Sequence, residues 1–181
     1  MEFFDVIKKR QSITKYKGDE ICKGSLDNMI NSAMRSPSWK NRTSFKIIII
    51  DDSKIKEKIS EYVLNKDNKA EEALIEAPMA VVVISQPEKS GEIEGKEFYI
   101  ADGAIAMEHF ILAATAEGYG TMWIGALEED KVKSLLGIPN DYRIIGISPV
   151  GVAAEVKEHN VEKNIRDYVF KNKFNDPYTM N

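Results

Sequence analysis

Cysteine and histidine are nearly missing from this chain: Cys22 is the only cysteine, and His109 and His159 are the only histidines, in 181 residues. A lone cysteine excludes an internal disulfide and a cysteine-rich metal centre, and two histidines so far apart offer no zinc-ligand spacing. Cys22, set among Lys, Gly and Glu, reads as buried filler or an idle surface thiol. Long apolar runs are missing too. No segment reaches the roughly eighteen uninterrupted apolar residues of a membrane span. Met1-Glu2-Phe3-Phe4-Asp5 lacks the basic start and apolar run of a signal peptide, so a reducing cytoplasm is the expected address. Charge is close to balanced: 25 basic against 29 acidic residues leave −4, which disfavours a general nucleic-acid surface and leaves room for one local cationic pocket. Also absent are a Gly-x-Gly-x-x-Gly after the first predicted strand, a Walker loop, and a serine with credible histidine and aspartate partners. A dinucleotide-binding Rossmann unit, a P-loop and a catalytic triad therefore find no support.

What is present is an ordinary globular composition, 43% hydrophobic and 30% charged, in a length that suits one domain over residues 1–181. Spacing predicts an amphipathic helix over about Glu2–Lys9, with Phe3, Phe4 and Ile7 on one side. Ser25 is the expected N-cap of a second helix carrying Leu26, Met29, Ile30, Ala33 and Met34. That helix must break before Pro37, because the residue ahead of a proline is pushed out of helical geometry. Phe45–Ile50 and Ala80–Ser85 read as strands covered on both faces. Between them, Asp51-Asp52-Ser53 caps a helix with Ile55, Ile59, Tyr62 and Val63 inward. Asn65–Asn68 reads as a mobile loop and Ala70–Glu76 as a short helix. Gln86–Gly95 is an exposed excursion.

Phe98–Glu117 is the longest predicted helix and is apolar around most of its circumference, so a second subunit is expected to cover it. Ala101, Ala104, Ala113 and Ala114 would let another helix approach closely. Thr121–Gly125 reads as a short strand, Glu128–Leu136 as a helix stopped by Gly137-Ile138-Pro139, and Arg143–Ala154 as the last strand, with Pro149 and Gly151 marking a bulge or an edge. From Glu155 onward, spaced aromatics in a polar background suit an arm lying on another surface, over residues 155–181.

The candidate ligand groups are dispersed. Ser36–Phe45 is dense in hydrogen-bonding side chains and lies between a helix end and a buried strand, where a fold usually holds a ligand. Lys8-Lys9-Arg10-Gln11-Ser12 closes the first helix. Cations there complement the helix dipole, and the Arg10 fork with the Ser12 hydroxyl also suits a phosphate. Lys163 and Arg166 form a second basic spot, and Ile124-Gly125 ends a strand with exposed backbone. Two basic spots suit one phosphate approached from two sides. The Ser38/Asn41 loop and the strand-end backbone suit the edge of a flat heterocycle. Together they point to a phosphorylated planar cofactor.

These blocks, in this order, resemble the nitroreductase family of FMN-dependent oxidoreductases. Lys9-Arg10-Gln11-Ser12-Ile13-Thr14-Lys15-Tyr16 is similar to the family's Arg-Arg-Ser-Ile-Arg-Lys-Phe, and Ser36 through Phe45 to its Ala-Pro-Ser-x-x-Asn-x-Gln-Pro-Trp. Glu76-Ala77-Pro78 ahead of Val81-Val82-Val83, Gly118-Tyr119-Gly120-Thr121-Met122-Trp123-Ile124-Gly125, Leu136-Gly137-Ile138-Pro139 and Gly146–Gly151 continue the likeness. The resemblance implies an α+β sandwich, a mixed sheet between helices, assembled as an intertwined homodimer with FMN at the interface. It implies that Arg10 and Ser12 hold the phosphate with Lys163 or Arg166, that Pro37, Ser38 and Asn41 line the flavin, and that backbone at Ile124 and Gly125 faces N5. NADH or NADPH would be the hydride donor, and a nitroaromatic or quinone the acceptor, in a ping-pong cycle without a catalytic side chain. Related readings are an enone reductase, a dehalogenase-like enzyme, or a flavin-binding protein without turnover. The chain departs from the family at Thr14, where a cation is frequent near N1 and O2, at Gln11, and at Thr43-Ser44-Phe45. A neutral Thr14 should leave the reduced ring less stabilised unless Lys15 or Lys40 substitutes. Trp39 and Trp123 either shape the pocket or pack at the interface.

Overall fold

Strands that are apolar on both faces must be covered on both, and that need sets the architecture. The computed structural model describes residues 1–65, 69–156 and 163–178. In chain order the elements are α1 (Phe3–Lys9), α2 (Lys23–Met34), β1 (Phe45–Ile50), α3 (Ser53–Ser60), α4 (Ala70–Glu76), β2 (Met79–Ser85), α5 (Pro87–Ser90), β3 (Glu92–Ile93), β4 (Lys96–Glu97), α6 (Tyr99–Ala116), β5 (Gly120–Thr121), α7 (Glu129–Leu136) and β6 (Arg143–Gly151). The main sheet runs β1-β2-β6-β5 with antiparallel pairing throughout, and an isolated parallel bridge between Ser12 and Thr121 adds the other sense at its β5 edge. Alternate residues of β2 feed two cores. Ala80, Val82 and Ile84 meet Ile59, Leu74 and Val132 on one face; Val81 and Val83 meet Met29, Met107 and Phe110 on the other. The result is the expected α+β sandwich.

Several element ends follow from single residues. The Asp52 carboxylate accepts the N–H groups of Lys54 and Ile55 at 2.8 and 3.1 Å and starts α3. Gly137, at φ 64°, takes the left-handed position that ends α7. Ser25 does not cap α2. The first intrahelical bond runs from Leu26 N–H to Cys22 C=O, so the helix starts at Lys23 and Ser25 lies inside it. The strand expected over Thr121–Gly125 shortens to Gly120–Thr121 plus a bridge from Ile124 to Ile147, because the Trp123 indole lies against Gly146 between them. The bulge falls at Ile145, the residue of β6 without a partner between Val83 and Ile84, rather than at Pro149. Of the Asn65–Asn68 loop, residues 66–68 lie outside those described, as do 157–162 and 179–181 of the expected arm and with them His159.

α6 crosses the second face with Gly103 at its closest approach. A Cβ there would lie 2.4 Å from Ile145 Cγ1 and 2.7 Å from Ser85 Oγ. Among the described residues another side of α6 is left without full cover: Ile100 stands exposed, and Ala104, Ile105 and Leu112 are only half-buried. α1 buries Val6 alone and leaves Phe3, Phe4 and Ile7 in the open.

At the start of α7, Arg143 donates from Nε and Nη2 to Glu129 at 2.9 and 3.0 Å, and Ile144 N–H adds a further bond at 2.9 Å. Burial by itself pushes the Glu129 carboxyl up. The bonds from Arg143 and Ile144 and the guanidinium charge outweigh that and hold it below its ordinary value. A depressed carboxylate contributes stability above its unfolded pKa and loses it as pH falls through the folded one. Glu129→Gln should therefore melt below the parent at neutral pH, with the gap closing as pH drops through the carboxylate range. Melting curves showing an unchanged gap in acid would contradict this.

Candidate functional site

The turn after α1 is tied to the sheet by its own backbone. Ile13 N–H donates to Thr121 C=O at 2.9 Å, Lys17 N–H to Val152 C=O at 2.8 Å, and Ala154 N–H to Lys15 C=O at 3.0 Å. Residues 12–17 thus extend the β5–β6 edge. Buried Tyr16 locks the segment by donating its hydroxyl to Ile13 C=O at 2.9 Å, and burial pushes the phenol's pKa well up. The pairing leaves Ser12 exposed and Arg10 and Thr14 half-buried along one edge. A cleft of about 500 Å³ opens beside this turn, walled by Lys8, Lys9, Gln11, Ile13, Tyr119 and Gly120. Farther along the same edge, both backbone groups of Ile124 are taken by Ile147, at 2.8 and 2.9 Å. Gly125 is exposed, and its N–H makes no hydrogen bond among the described residues. Lys15 does not reach along this edge; its ammonium pairs with Glu155 at 3.2 Å.

The second set of groups lies on the loop before β1. Ser38 Oγ accepts the Thr43 N–H at 2.9 Å and keeps its own proton for a further acceptor. Lys40, Asn41 and Thr43 all take left-handed backbone, at φ 50°, 55° and 49°. For residues other than glycine, each such position costs about 1–2 kcal/mol, so the loop is held against strain. The restraint comes from α6. Asp102, 1% exposed, accepts Trp39 N–H at 2.6 Å on Oδ1, and the hydroxyls of Ser44 and Ser90 at 2.7 and 2.8 Å on Oδ2. Arg42 donates to Ser90 C=O at 3.1 Å, and Trp39 stacks on Phe98 at 3.8 Å and 3°. A pocket of about 250 Å³ lies between loop and helix, lined by Pro37, Ser38, Trp39, Phe98, Asp102 and Ile105.

Sequence reasoning missed Asp102 and Phe98. The signal for Asp102 was available: an acidic residue in the first turn of an otherwise apolar helix must be paired with donors if that side is buried.

The two sets do not meet within one chain. Ser12 and Thr121 sit on the row of Val150, whereas the loop leaves β1 at Phe45, on the row of Ser85 and Arg143. Seven residues of β6 separate those rows, about 23 Å. α6 says the same: Asp102 holds the loop near its first turn, Gly120 follows its end, and its 18 residues span about 27 Å.

Lys163 and Arg166 lie on neither set. Lys163 stands 5.5 Å from the Tyr168 ring centroid, and Arg166 N–H donates to Asn164 Oδ1 at 3.2 Å. Among the described residues, the hydrogen bonds of the 163–178 segment close within it, as in Lys171 N–H to Asp176 C=O and Tyr178 N–H to Val169 C=O. It presents Tyr168, Phe174 and Tyr178 outward.

Comparison with known proteins adds kinship to this geometry. The Nitroreductase family matches residues 7–66 and 63–152. A nitroreductase family protein from Clostridium novyi NT is 42% identical, with 98% of each chain covered and a TM-score of 0.84. An FMN-dependent nitroreductase from Clostridium difficile R20291 is 28% identical over 94% of this chain and 99% of its own, with a TM-score of 0.82. A protein of Methanothermobacter thermautotrophicus, provisionally named NADH dehydrogenase/NAD(P)H nitroreductase, is 29% identical over 86% of this chain and 79% of its own.

Proposed function

Because the chain belongs to the Nitroreductase family, we propose that it is an NAD(P)H-dependent oxidoreductase that works as a homodimer with FMN shared between subunits. Bound FMN would supply hydride transfer through N5, from NADH or NADPH to a nitroaromatic, quinone or similar small acceptor in a ping-pong cycle. The observation that carries the reading is the separation of the two sets of groups. The row that carries Ser12 and the row where the loop joins β1 lie about 23 Å apart along β6, so turn and loop of one chain sit at opposite ends of the sheet. A second copy, related by a two-fold axis, can set its loop against the first copy's turn.

The donor chemistry fits. The Arg10 guanidinium and Ser12 hydroxyl suit a phosphate on an exposed, backbone-braced edge, with Gln11 and Thr14 beside them. On that same edge the N–H of Gly125, rather than that of Ile124, is left to meet a ring nitrogen. From the partner, Pro37 and Ser38 would wall the ring, and Asn41 would offer its amide. Lys163 or Arg166 would join the phosphate from the arm, whose outward aromatics, like Phe3 and Phe4 of α1 and the open side of α6, are uncovered among the described residues and suit a partner's surface. Among the described residues no helix is long and apolar enough to cross a membrane; a cytoplasmic setting agrees with the use of NADH or NADPH.

The purified protein should be a yellow dimer whose colour bleaches anaerobically on adding NADH or NADPH and returns with an acceptor. A colourless monomer after incubation with FMN would end the proposal. Thr14 gives a finer test. Lys15 is engaged by Glu155, and Lys40, on the loop, stands 5.7 Å from the Trp39 ring centroid. Thr14→Lys should raise the midpoint potential of bound FMN, and potentiometric titration showing no rise would count against that role.

A further inference from the structure

We propose that Asp102 is a positioning residue for the cofactor: its buried carboxylate holds the Ser36–Phe45 loop in the conformation that presents Ser38 and Asn41 to the ring. This rests on the FMN reading above and adds to it a residue that touches neither phosphate nor ring-edge donor.

Three observations converge on it. All three partners of the carboxylate, Trp39 N–H, Ser44 hydroxyl and Ser90 hydroxyl, are donors. An ionised carboxylate is the side chain that only accepts, so an amide at the same place would turn one NH₂ toward donors. Two of those partners, Trp39 and Ser44, bracket the segment in which Lys40, Asn41 and Thr43 hold left-handed backbone. The loop therefore does not keep this shape by its own preference and depends on anchors at both ends. Finally, the anchor stands where α6 packs directly on the sheet. Gly103 follows it at the closest approach of α6 to the sheet, and Ser90 ties the end of α5 to the same carboxylate. No salt bridge is formed by Asp102 among the described residues; its carboxyl group is held by the three hydrogen bonds and lines the pocket that Pro37 and Ser38 wall.

The test compares full-length wild type with Asp102→Asn, Asp102→Ala and Ser90→Ala. It uses FMN titration, the visible spectrum of the bound flavin, and the melting temperature without flavin. Asp102→Asn is expected to keep the dimer and to bind FMN at least fivefold more weakly, with altered fine structure in the flavin band. Ser90→Ala, which removes one donor outside the loop, should fall between wild type and Asp102→Asn. A role confined to folding would lower the melting temperature and leave the bound spectrum unchanged. That result overturns the proposal, as does an Asp102→Asn affinity less than fivefold below wild type. If Asp102→Ala does not fold, Asp102→Asn and Ser90→Ala decide. If wild type itself takes up no FMN, the functional reading fails and this inference with it; wild type that binds FMN beside an indifferent Asp102→Asn defeats this inference alone.

Discussion

Two variants that each fail to hold FMN are expected to regain it when paired. On the proposed reading Arg10→Ala would remove a charge-assisted contact to the phosphate, a loss of roughly 1.5–3 kcal/mol, or about ten- to more than a hundredfold in affinity. Ser38→Tyr puts a ring into the small pocket beside Pro37 and Trp39 and blocks the other set of groups. In a heterodimer of the two, one interface combines the Arg10→Ala turn with the Ser38→Tyr loop and is doubly impaired. The other combines an intact turn with an intact loop. Co-expression with two different tags and purification over both should yield a dimer binding one FMN with wild-type affinity, while each homodimer binds none at that affinity. If turn and loop served a ligand within one chain, both sites of the heterodimer would be damaged and no such binding would appear. The result depends on the distance between the rows of Val150 and Arg143 in one sheet, and not on any assumption about rates.

The parts of the fold legible in the sequence are those dictated by local rules. Phe45–Ile50 and the run to Ser85 could be read as strands because continuous apolar residues of strand length leave few alternatives. Asp52 and Gly137 could be read as helix boundaries because one side chain and one backbone conformation settle each. What depended on distant contacts was not legible. Ser25 has the chemistry of a cap and lost the position to an earlier start at Lys23. The strand after Gly120 shortened because Trp123 met Gly146 from β6, a contact that no window around Trp123 contains. The site shows the same division. Arg10, Ser12, Ser38 and Asn41 could be put forward as ligand groups from motif and chemistry. That turn and loop lie at opposite corners of the sheet required strand order and register, and that Asp102 holds the loop required knowing which side of α6 is buried.

The largest effect on stability is expected at Gly103, where the same buried side of α6 meets the sheet. Its φ is not the constraint; the space is. A Cβ would stand 2.4 Å from Ile145 Cγ1, 3.2 Å from Ile145 Cβ and 2.7 Å from Ser85 Oγ. The Ser85 hydroxyl can rotate away. Ile145 cannot easily follow, because it is the extra residue of the β6 bulge and its backbone is set by the rows on either side. Gly103→Val must therefore lift the start of α6 or distort the bulge. Overpacking of a close-packed core typically costs about 1–3 kcal/mol and occasionally more, and the helix preference of Val over Gly returns only a few tenths. Against a total of roughly 5–15 kcal/mol for a domain, a loss near the upper end should lower the denaturation midpoint markedly with an unchanged denaturant dependence. Lifting α6 also draws Asp102 away from Trp39 and Ser44, so FMN affinity should fall together with stability. Gly103→Ala, with one methyl to place, should show both losses in smaller measure. Equal midpoints for Gly103→Val and wild type would mean that the helix rides on the sheet without a fixed seat, and that Asp102 has no rigid base from which to hold the loop.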